Sequence, residues 1–233
     1  MVSYNGKNVV ITGASGGMGV VLCKQLAEQG AKLSLCSNDK ERLDNLVKEL
    51  DGKTSVFAKV VDITNEAEVE KFFEEAYAAN GEFAALCNLA GLSIPTKIPE
   101  AEVSAYDLMM DVNVKGTFLA SKHFSAHVAD EAIVVNIGSM AARNANGNAP
   151  LYCTAKAAVN MFSQGLRIQL GPKNVRVTTV NPGGADTPFW GTREVDKSKL
   201  MQAEEVVEVI MFVLMSNPKI QIYDIFFESS KRF

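Results

Sequence analysis

The alternation of short apolar runs with longer amphipathic runs is the feature that most limits how this chain can fold. Runs rich in β-branched residues predict strands at residues 8–12, 32–36, 55–61, 84–88, 132–137, 175–180 and 220–226. Helical periodicity predicts helices at about residues 18–29, 40–50, 66–79, 104–129, 151–170 and 203–215. Strands that alternate with helices in this way favour an α/β fold, with a doubly wound parallel sheet of about seven strands and helices on both faces.

The length and composition favour one domain without a charged partner. The 233 residues contain no linker, repeat or low-complexity tract, so we expect a single domain over residues 1–233. A net charge of −4 without like-charge blocks argues against nucleic acid or an anionic membrane surface as a partner. The cysteines lie far apart and without CxxC spacing, at Cys23, Cys36, Cys87 and Cys153. With no signal peptide and no apolar run of about 18 residues, they indicate a cytoplasmic protein with reduced thiols.

A glycine-rich turn separates the first predicted strand from the first predicted helix. The stretch "TGASGGMG" places Gly13, Gly17 and Gly19 in the spacing T-G-x-x-x-G-x-G. Glycines at such a junction let backbone amides approach a ligand, and a helix N-terminus favours a pyrophosphate. The turn therefore indicates a dinucleotide site, although an ordinary tight turn would use the same residues.

The end of the second predicted strand is where a dinucleotide's ribose would be recognised. A carboxylate there would hold the 2′-hydroxyl of NAD, whereas this chain has the neutral Ser37 and Asn38, followed by Lys40 and Arg42. This pattern favours NADP(H), with NAD(H) possible; the alternative is that Ser37 and Asn38 only cap the next helix. Asp62, after the third strand, either accepts a hydrogen bond from adenine or caps its own helix.

A tyrosine and a lysine four residues apart form a candidate acid–base pair. Tyr152 and Lys156 share one face of a predicted helix, and Ser139 ends the preceding strand. An ammonium beside a phenol is expected to lower the tyrosine pKa and so to prepare it for proton transfer. Alone, this spacing is weak because tyrosine and lysine often meet in helices by chance.

The motifs together closely resemble the short-chain dehydrogenase/reductase family over roughly residues 7–227. The glycine turn is followed in order by "NLAG" (88–91), "DVNVKGTF" with Asn113, Ser139, the Tyr152/Lys156 pair and "NPGGADTP" (181–188). The resemblance implies a Rossmann-type fold and hydride transfer between NAD(P) and a ketone or secondary alcohol, with Tyr152 as general acid/base. It implies a catalytic set of Ser139, Tyr152, Lys156 and Asn113, and no metal.

The same resemblance implies which residues bind the cofactor. They are Gly13, Ser15, Gly17, Met18, Gly19, Ser37, Asn38, Asp62, Ile63, Asn88, Ala90, Gly91, Tyr152, Lys156, Pro182, Gly183 and Thr187. It also implies a small-molecule carbonyl or alcohol substrate and a homodimer or homotetramer. Two alternatives stay open. One is narrower, a 3-oxoacyl-thioester reductase in which Arg143 or Arg193 receives a carrier's phosphate; the other belongs to another class, a non-catalytic dinucleotide-binding regulator.

The chain departs from the family pattern at several positions. Leu89 stands where a second asparagine is usual, and Cys153 stands where serine is commoner. The segment after Thr187 is short and contains Phe189 and Trp190, which predicts a partly apolar and rather open substrate site. The ending "IQIYDIFFESSKRF" lacks a glycine-rich close, which puts the usual subunit contacts in doubt.

Overall fold

The computed structural model describes residues 2–232 and contains a seven-stranded parallel sheet. Its strands are β1 (Asn8–Thr12), β2 (Lys32–Ser37), β3 (Val56–Val60), β4 (Phe83–Asn88), β5 (Val128–Ile137), β6 (Arg176–Pro182) and β9 (Asp224–Phe227). Two short strands, β7 (Ala185–Asp186) and β8 (Met201–Gln202), lie between β6 and β9 in the chain. The order in the large sheet is β3-β2-β1-β4-β5-β6-β9, and every neighbouring pair is parallel. Strands β7 and β8 form a separate small sheet that the sequence analysis did not predict.

Helices cover both faces of the large sheet. They are α1 (Gly17–Glu28), α2 (Lys40–Leu50), α3 (Glu66–Asn80), α4 (Val103–Met110), α5 (Gly116–Phe124), α6 (Pro150–Leu170) and α7 (Ala203–Leu214). Helices α1, α2 and α7 pack on one face, and α3, α5 and α6 pack on the other. In β1, Val9 and Ile11 point to the first face and Val10 to the second, and all three are fully buried. Burial on both faces explains the continuous apolar runs of the strands, and the predicted Rossmann-type fold is confirmed.

The predicted helix over residues 104–129 is wrong in two respects. A π-helical turn at Asp111–Lys115 interrupts it, and α5 ends at Phe124. Strand β5 then begins at Val128, four residues before the predicted start, because Val128 pairs with Phe83 of β4. The backbone N–H of Phe83 also donates to the carbonyl of His127 at 2.9 Å. Pairing with the sheet therefore overrides the helical periodicity of this segment.

The last strand begins later than the predicted residue 220. The side chain of Gln221 donates to the carbonyl of Val177 at 2.9 Å, and the hydroxyl of Thr178 donates to the carbonyl of Ile222 at 2.7 Å. Side chains thus take the place of strand pairing beside the first half of β6, so that regular pairing starts only at Asp224. Across residues 2–232, each helix is too short or too polar to cross a membrane.

Aromatic side chains fill the core beneath α3 and α5. The ring of Phe83 lies 5.5 Å from that of Phe73, 5.8 Å from that of Phe124 and 6.4 Å from that of Tyr77. Phe83 is fully buried and lies at the start of the central strand β4. Its ring therefore joins the sheet to two helices.

Truncation of this ring is expected to destabilise the whole domain. Phe83→Ala should lower the free energy of unfolding by about 3–5 kcal/mol, because it removes buried apolar surface and leaves a cavity. Phe83→Leu, which preserves most of the volume, should cost less than about 1.5 kcal/mol. Urea denaturation followed by circular dichroism checks both values, and equal costs for the two variants would contradict the packing described.

Candidate active site

A cleft of about 270 Å³ opens at the carboxyl ends of β1, β2 and β4. In the sheet, β1 lies between β2 on one side and β4 on the other, so the strand order reverses at β1. Open parallel sheets bind ligands at such a reversal, outside the carboxyl ends of the strands. Predicted residues in its lining are Gly13, Ser15, Ser37, Asn38, Asp62, Ile63, Ala90 and Gly91. The structure therefore gathers residues from four separate segments of the sequence into one cavity.

The glycine turn packs too closely against its surroundings to carry side chains. Gly13 has φ +64°, and a Cβ atom there would lie 2.7 Å from the backbone nitrogen of Ala90. A Cβ atom on Gly19 would lie 2.5 Å from the carbonyl oxygens of Gly13 and Ala14, and one on Gly17 would lie 2.8 Å from the side chain of Thr187. The three glycines therefore let the turn, the "NLAG" loop and Thr187 approach one another.

The first turn of α1 has backbone N–H groups that could bind an anion. Its N-cap, Gly16, provides no side-chain hydrogen bond, and the turn contains no acidic residue. Its amide N–H groups and partial positive charge therefore suit a pyrophosphate. Met18 lies in this turn, and the buried hydroxyls of Ser15 and Ser37 are 2.6 Å apart at the wall of the cleft. The residues present thus fit a dinucleotide.

Neither Ser37 nor Asn38 caps α2, so that alternative is wrong. The N-cap is Asp39, whose carboxylate accepts a hydrogen bond from the backbone N–H of Arg42 at 3.0 Å. The same carboxylate lies 3.3 Å from the guanidinium of Arg42, and both residues line the cleft. Asp39 was not predicted as the cap, although an aspartate directly before a helix is a recognisable capping signal.

Asp62 likewise does not cap α3. Asn65 is the cap, while Asp62 accepts hydrogen bonds from the backbone N–H and the hydroxyl of Thr64 at 2.9 and 2.8 Å. Asp62 is exposed at the rim of the cleft. A contact with adenine stays a prediction. Ile63 contacts Gly116 at the start of α5, where a Cβ atom would lie 2.9 Å from its side chain.

Ser139, Tyr152 and Lys156 meet where β5 ends and α6 begins. The Ser139 hydroxyl oxygen accepts from the backbone N–H of Ala141 at 3.1 Å, and the Ser139 N–H donates to the amide oxygen of Asn181 at 3.1 Å. The ammonium of Lys156 lies 5.7 Å from the ring centroid of Tyr152 and donates to the carbonyl of Ile137 at 2.9 Å. The serine hydroxyl thus accepts from Ala141, and it also interacts with the hydroxyl of Tyr152.

The predicted lowering of the tyrosine pKa is wrong. Burial raises the pKa of Tyr152 to about 12, although the Ser139 hydroxyl and the charge of Arg193 oppose this rise. Burial also lowers the pKa of Lys156 to about 8. Lys156 is 4% exposed and its ammonium is held by a neutral carbonyl, so the cost of desolvation exceeds the attraction of the ammonium to the ring.

Asn113 lies in the π-helical turn and faces the same space as Lys156. Its amide nitrogen donates to the carbonyls of Leu92 and Met109, both at 2.9 Å. Its buried Oδ1 has no hydrogen-bond partner among the described residues. A Cβ atom on Gly91 would lie 2.8 Å from this Oδ1 and 3.3 Å from the ammonium of Lys156. Gly91 thus leaves space in which a hydrogen-bond donor could satisfy Asn113.

A buried relay of polar side chains lies beneath the site and was not predicted as a site feature. The amide of Asn88 donates to Asn136 at 2.8 Å, and the amide of Asn136 donates to the hydroxyl of Ser163 at 2.8 Å. Thr12 donates to Asn88 at 3.4 Å at the other end. The relay joins β1, β4, β5 and α6. An asparagine inside the apolar run "IVVNI" was the available signal.

The segment after β6 covers the tyrosine. The Gly183 N–H, next to Pro182, donates to the carbonyl of Phe227 at 2.7 Å. The ring of Phe189 lies 5.8 Å from the ring of Tyr152, and Trp190 donates to the carbonyl of Ala185 at 2.7 Å. The aromatic lining predicted for this region is present beside a half-buried Tyr152. The openness of the substrate site stays a prediction.

The two histidines of α5 and the following turn point to different partners. His127 stacks on Tyr77 at 4.0 Å, whereas His123 packs against Phe73 and faces Glu66 at 3.8 Å. Within residues 2–232, no three His, Cys, Asp or Glu side chains are grouped to hold a metal ion.

Known proteins resemble this chain over nearly its whole length. Residues 7–198 match the sequence profile described as short chain dehydrogenase. An uncharacterized oxidoreductase of Staphylococcus saprophyticus is 31% identical over 229 residues, covering 97% of this chain and 98% of that protein. A short chain dehydrogenase from Burkholderia cenocepacia in complex with NADP superposes with a TM-score of 0.91 at 24% identity, over 97% and 98% of the two chains. An alcohol dehydrogenase from Thermococcus sibiricus, complexed with 5-hydroxy-NADP, has a TM-score of 0.89 at 23% identity over 97% and 98%.

Addition of one methyl group to the glycine turn is expected to impair dinucleotide binding. Gly13→Ala places a Cβ atom against Ala90 at positive φ, so the turn or the "NLAG" loop must shift. The dissociation constant for NADPH, measured by protein fluorescence titration, should rise about tenfold or more. Gly147→Ala, where no atom lies within 4 Å, is the control and should leave it unchanged. Equal affinities for both variants would contradict the assignment of this turn.

Proposed function

The chain belongs to the short-chain dehydrogenase family, and from this membership we propose that it moves a hydride between NADP(H) and a ketone or secondary alcohol. The matching profile is described as short chain dehydrogenase, and the relative from Staphylococcus saprophyticus as an oxidoreductase. The convergence of Ser139, Tyr152 and Lys156 beside a cleft that fits a dinucleotide is the observation that carries the proposal.

Each side chain has a chemical role that its contacts support. The bound nicotinamide dinucleotide supplies or accepts the hydride. In the reducing direction the Tyr152 hydroxyl donates its proton to the substrate oxygen, and the Ser139 hydroxyl donates a hydrogen bond to the same atom. The Ser139 oxygen accepts from Ala141, so its O–H remains to donate to the substrate oxygen.

Lys156 and Asn113 support proton transfer at Tyr152. The protonated Lys156 favours the phenolate that forms when Tyr152 gives up its proton. It keeps two N–H groups beyond the bond to Ile137, and these can meet the hydroxyls of the nicotinamide ribose. The free Oδ1 of Asn113 offers an acceptor on the same side, through which water can return a proton to the pair.

A preference for NADP(H) is part of the proposal. Ser37 and Asn38 present no negative charge to a 2′-phosphate. The carboxylate of Asp39 is engaged by its own helix and by the Nε of Arg42, so the Nη groups of this exposed guanidinium can turn toward a phosphate at the rim. The Burkholderia and Thermococcus proteins, which share the fold, were solved with NADP and 5-hydroxy-NADP respectively.

The remaining predicted residues are proposed to hold the dinucleotide. The pyrophosphate would bind at Gly13, Gly17, Met18 and Gly19, and the adenine at Asp62 and Ile63. The adenosine side of the cleft would be formed by Asn88, Ala90 and Gly91. The nicotinamide would be covered by Pro182, Gly183 and Thr187. No observation favours the thioester reductase or the non-catalytic regulator. Arg193 is turned into its own segment, which weakens it as a receptor for a thioester carrier's phosphate. The presence of Ser139, Tyr152, Lys156 and Asn113 together argues against a non-catalytic regulator.

Removal of the tyrosine hydroxyl is expected to abolish turnover and spare cofactor binding. Tyr152→Phe keeps the ring against Phe189 but loses the proton donor, so kcat for ketone reduction should fall about 100-fold or more. The measurement is NADPH oxidation against a panel of ketones, diketones and quinones, with the NADPH dissociation constant determined in parallel. Unchanged turnover would exclude Tyr152 as the acid.

A carboxylate at position 37 is expected to reverse the cofactor preference. Ser37→Asp should weaken NADPH binding about tenfold or more by charge repulsion and should improve NADH binding. Ser37→Ala is the matched control because it removes the hydrogen bond to Ser15 without adding charge, so both cofactors should lose affinity equally. The check is kcat/KM for NADPH and NADH with one ketone. A wild-type preference for NADH would contradict the NADP(H) assignment.

A further inference from the structure

Arg193 makes an unusually complete set of contacts within the segment that covers Tyr152. Its Nε donates to the carbonyl of Trp190 at 2.8 Å, and its Nη2 donates to the carbonyl of Phe189. Its guanidinium carbon lies 5.2 Å from the ring centroid of Phe189 and 5.0 Å from that of Trp190. A single side chain therefore binds both the backbone and the rings of two consecutive aromatic residues.

The aromatic pair is anchored at both ends of the segment. The indole N–H of Trp190 donates to Ala185 in β7, and the two rings meet edge to face at 5.8 Å. Thr187, immediately before the pair, rests against Gly17 at the start of α1. Phe189 is thus the side chain that this arrangement directs onto Tyr152.

The described contacts of Arg193 are with backbone carbonyls and aromatic rings. Among residues 2–232, the guanidinium forms no salt bridge with a carboxylate, although the residue is half-buried. The planar fork of arginine can bind two carbonyls and stack on rings at once, which a lysine cannot do. The contacts of Arg193 therefore hold residues 189–190 in place.

We propose that Arg193 is a positioning residue that fastens Phe189 and Trp190 over Tyr152 and thereby shapes the substrate side of the site. The inference rests on the proposed role of Tyr152. Without the two side-chain bonds to the carbonyls, the aromatic pair is held less firmly over Tyr152, so water reaches the ring and the apolar wall beside the substrate is weakened. The hydrogen bonds and ring contacts of Arg193 are with Phe189 and Trp190, so it positions Phe189 and does not itself bond to the reacting atoms.

The single tryptophan of the chain, Trp190, reports the position of the segment directly. Arg193→Met and Arg193→Lys should both increase acrylamide quenching of Trp190 fluorescence about twofold. Both should raise the KM for the ketone about fivefold or more, while the NADPH dissociation constant stays at the wild-type value. A purely structural defect would instead lower kcat through loss of folded enzyme, at unchanged KM.

Arg167 provides a closely matched control. It lies 4.5 Å from the ring centroid of Tyr223 and donates to the carbonyls of Val177 and Tyr223 at 2.9 and 3.0 Å, away from the site. Arg167→Met removes the same kinds of contact, so it should lower Tm but leave Trp190 quenching and KM unchanged.

The outcomes separate this proposal from its rivals. Wild-type quenching and KM in both Arg193 variants overturn it, as does increased quenching at unchanged KM. Wild-type behaviour of Arg193→Lys alone also overturns it, because charge rather than the fork would then suffice. If the wild-type enzyme reduces no carbonyl, the proposed function fails, and the fluorescence measurement still decides whether Arg193 fastens the aromatic pair.

Discussion

The hydrogen bond between the amides of Asn88 and Asn136 joins the two central strands at the edge where the site is built. It continues to Thr12 on one side and to Ser163 on the other, so that β1, β4, β5 and α6 are held by buried and mutually satisfied polar groups. Such a network favours one arrangement because any shift leaves amides unpaired in the core. Ser163 lies two helical turns from Lys156 on the same face of α6. The relay therefore also fixes the rotation of α6 that brings Lys156 to Ile137.

Desolvation dominates the electrostatics of the site. The ammonium of Lys156 is buried against a neutral carbonyl, which lowers its pKa to about 8, and burial raises the pKa of Tyr152 to about 12. Both changes disfavour the charged forms, and they leave a neutral hydroxyl that retains its proton at physiological pH. In the proposed function, acceptor groups of the ligand compensate the buried ammonium, so that binding of the ligand completes the acid–base pair.

The sequence predicted the sheet, the helices and the position of the cleft because hydrophobic periodicity and glycine spacing are local signals. It failed where tertiary contacts decide. The helix predicted over residues 104–129 ends early because Val128 pairs with β4. The last strand starts late because the side chain of Gln221 donates to a backbone carbonyl of β6. The tyrosine pKa depends on burial, which spacing does not reveal. Arg193 could not be found either, since its role follows from a turn that folds it back on Phe189 and Trp190.

The most direct test of hydride transfer is the fate of a label. Wild-type enzyme is incubated with a ketone and NADPH that carries deuterium at the nicotinamide C4, with each face labelled in a separate reaction, and the alcohol is examined by mass spectrometry and proton NMR. We predict that deuterium from one face appears at the carbinol carbon, in one stereochemical sense, and that it is absent from the product of Tyr152→Phe. An alcohol that forms without deuterium from either face, or no alcohol from any carbonyl, would contradict the account.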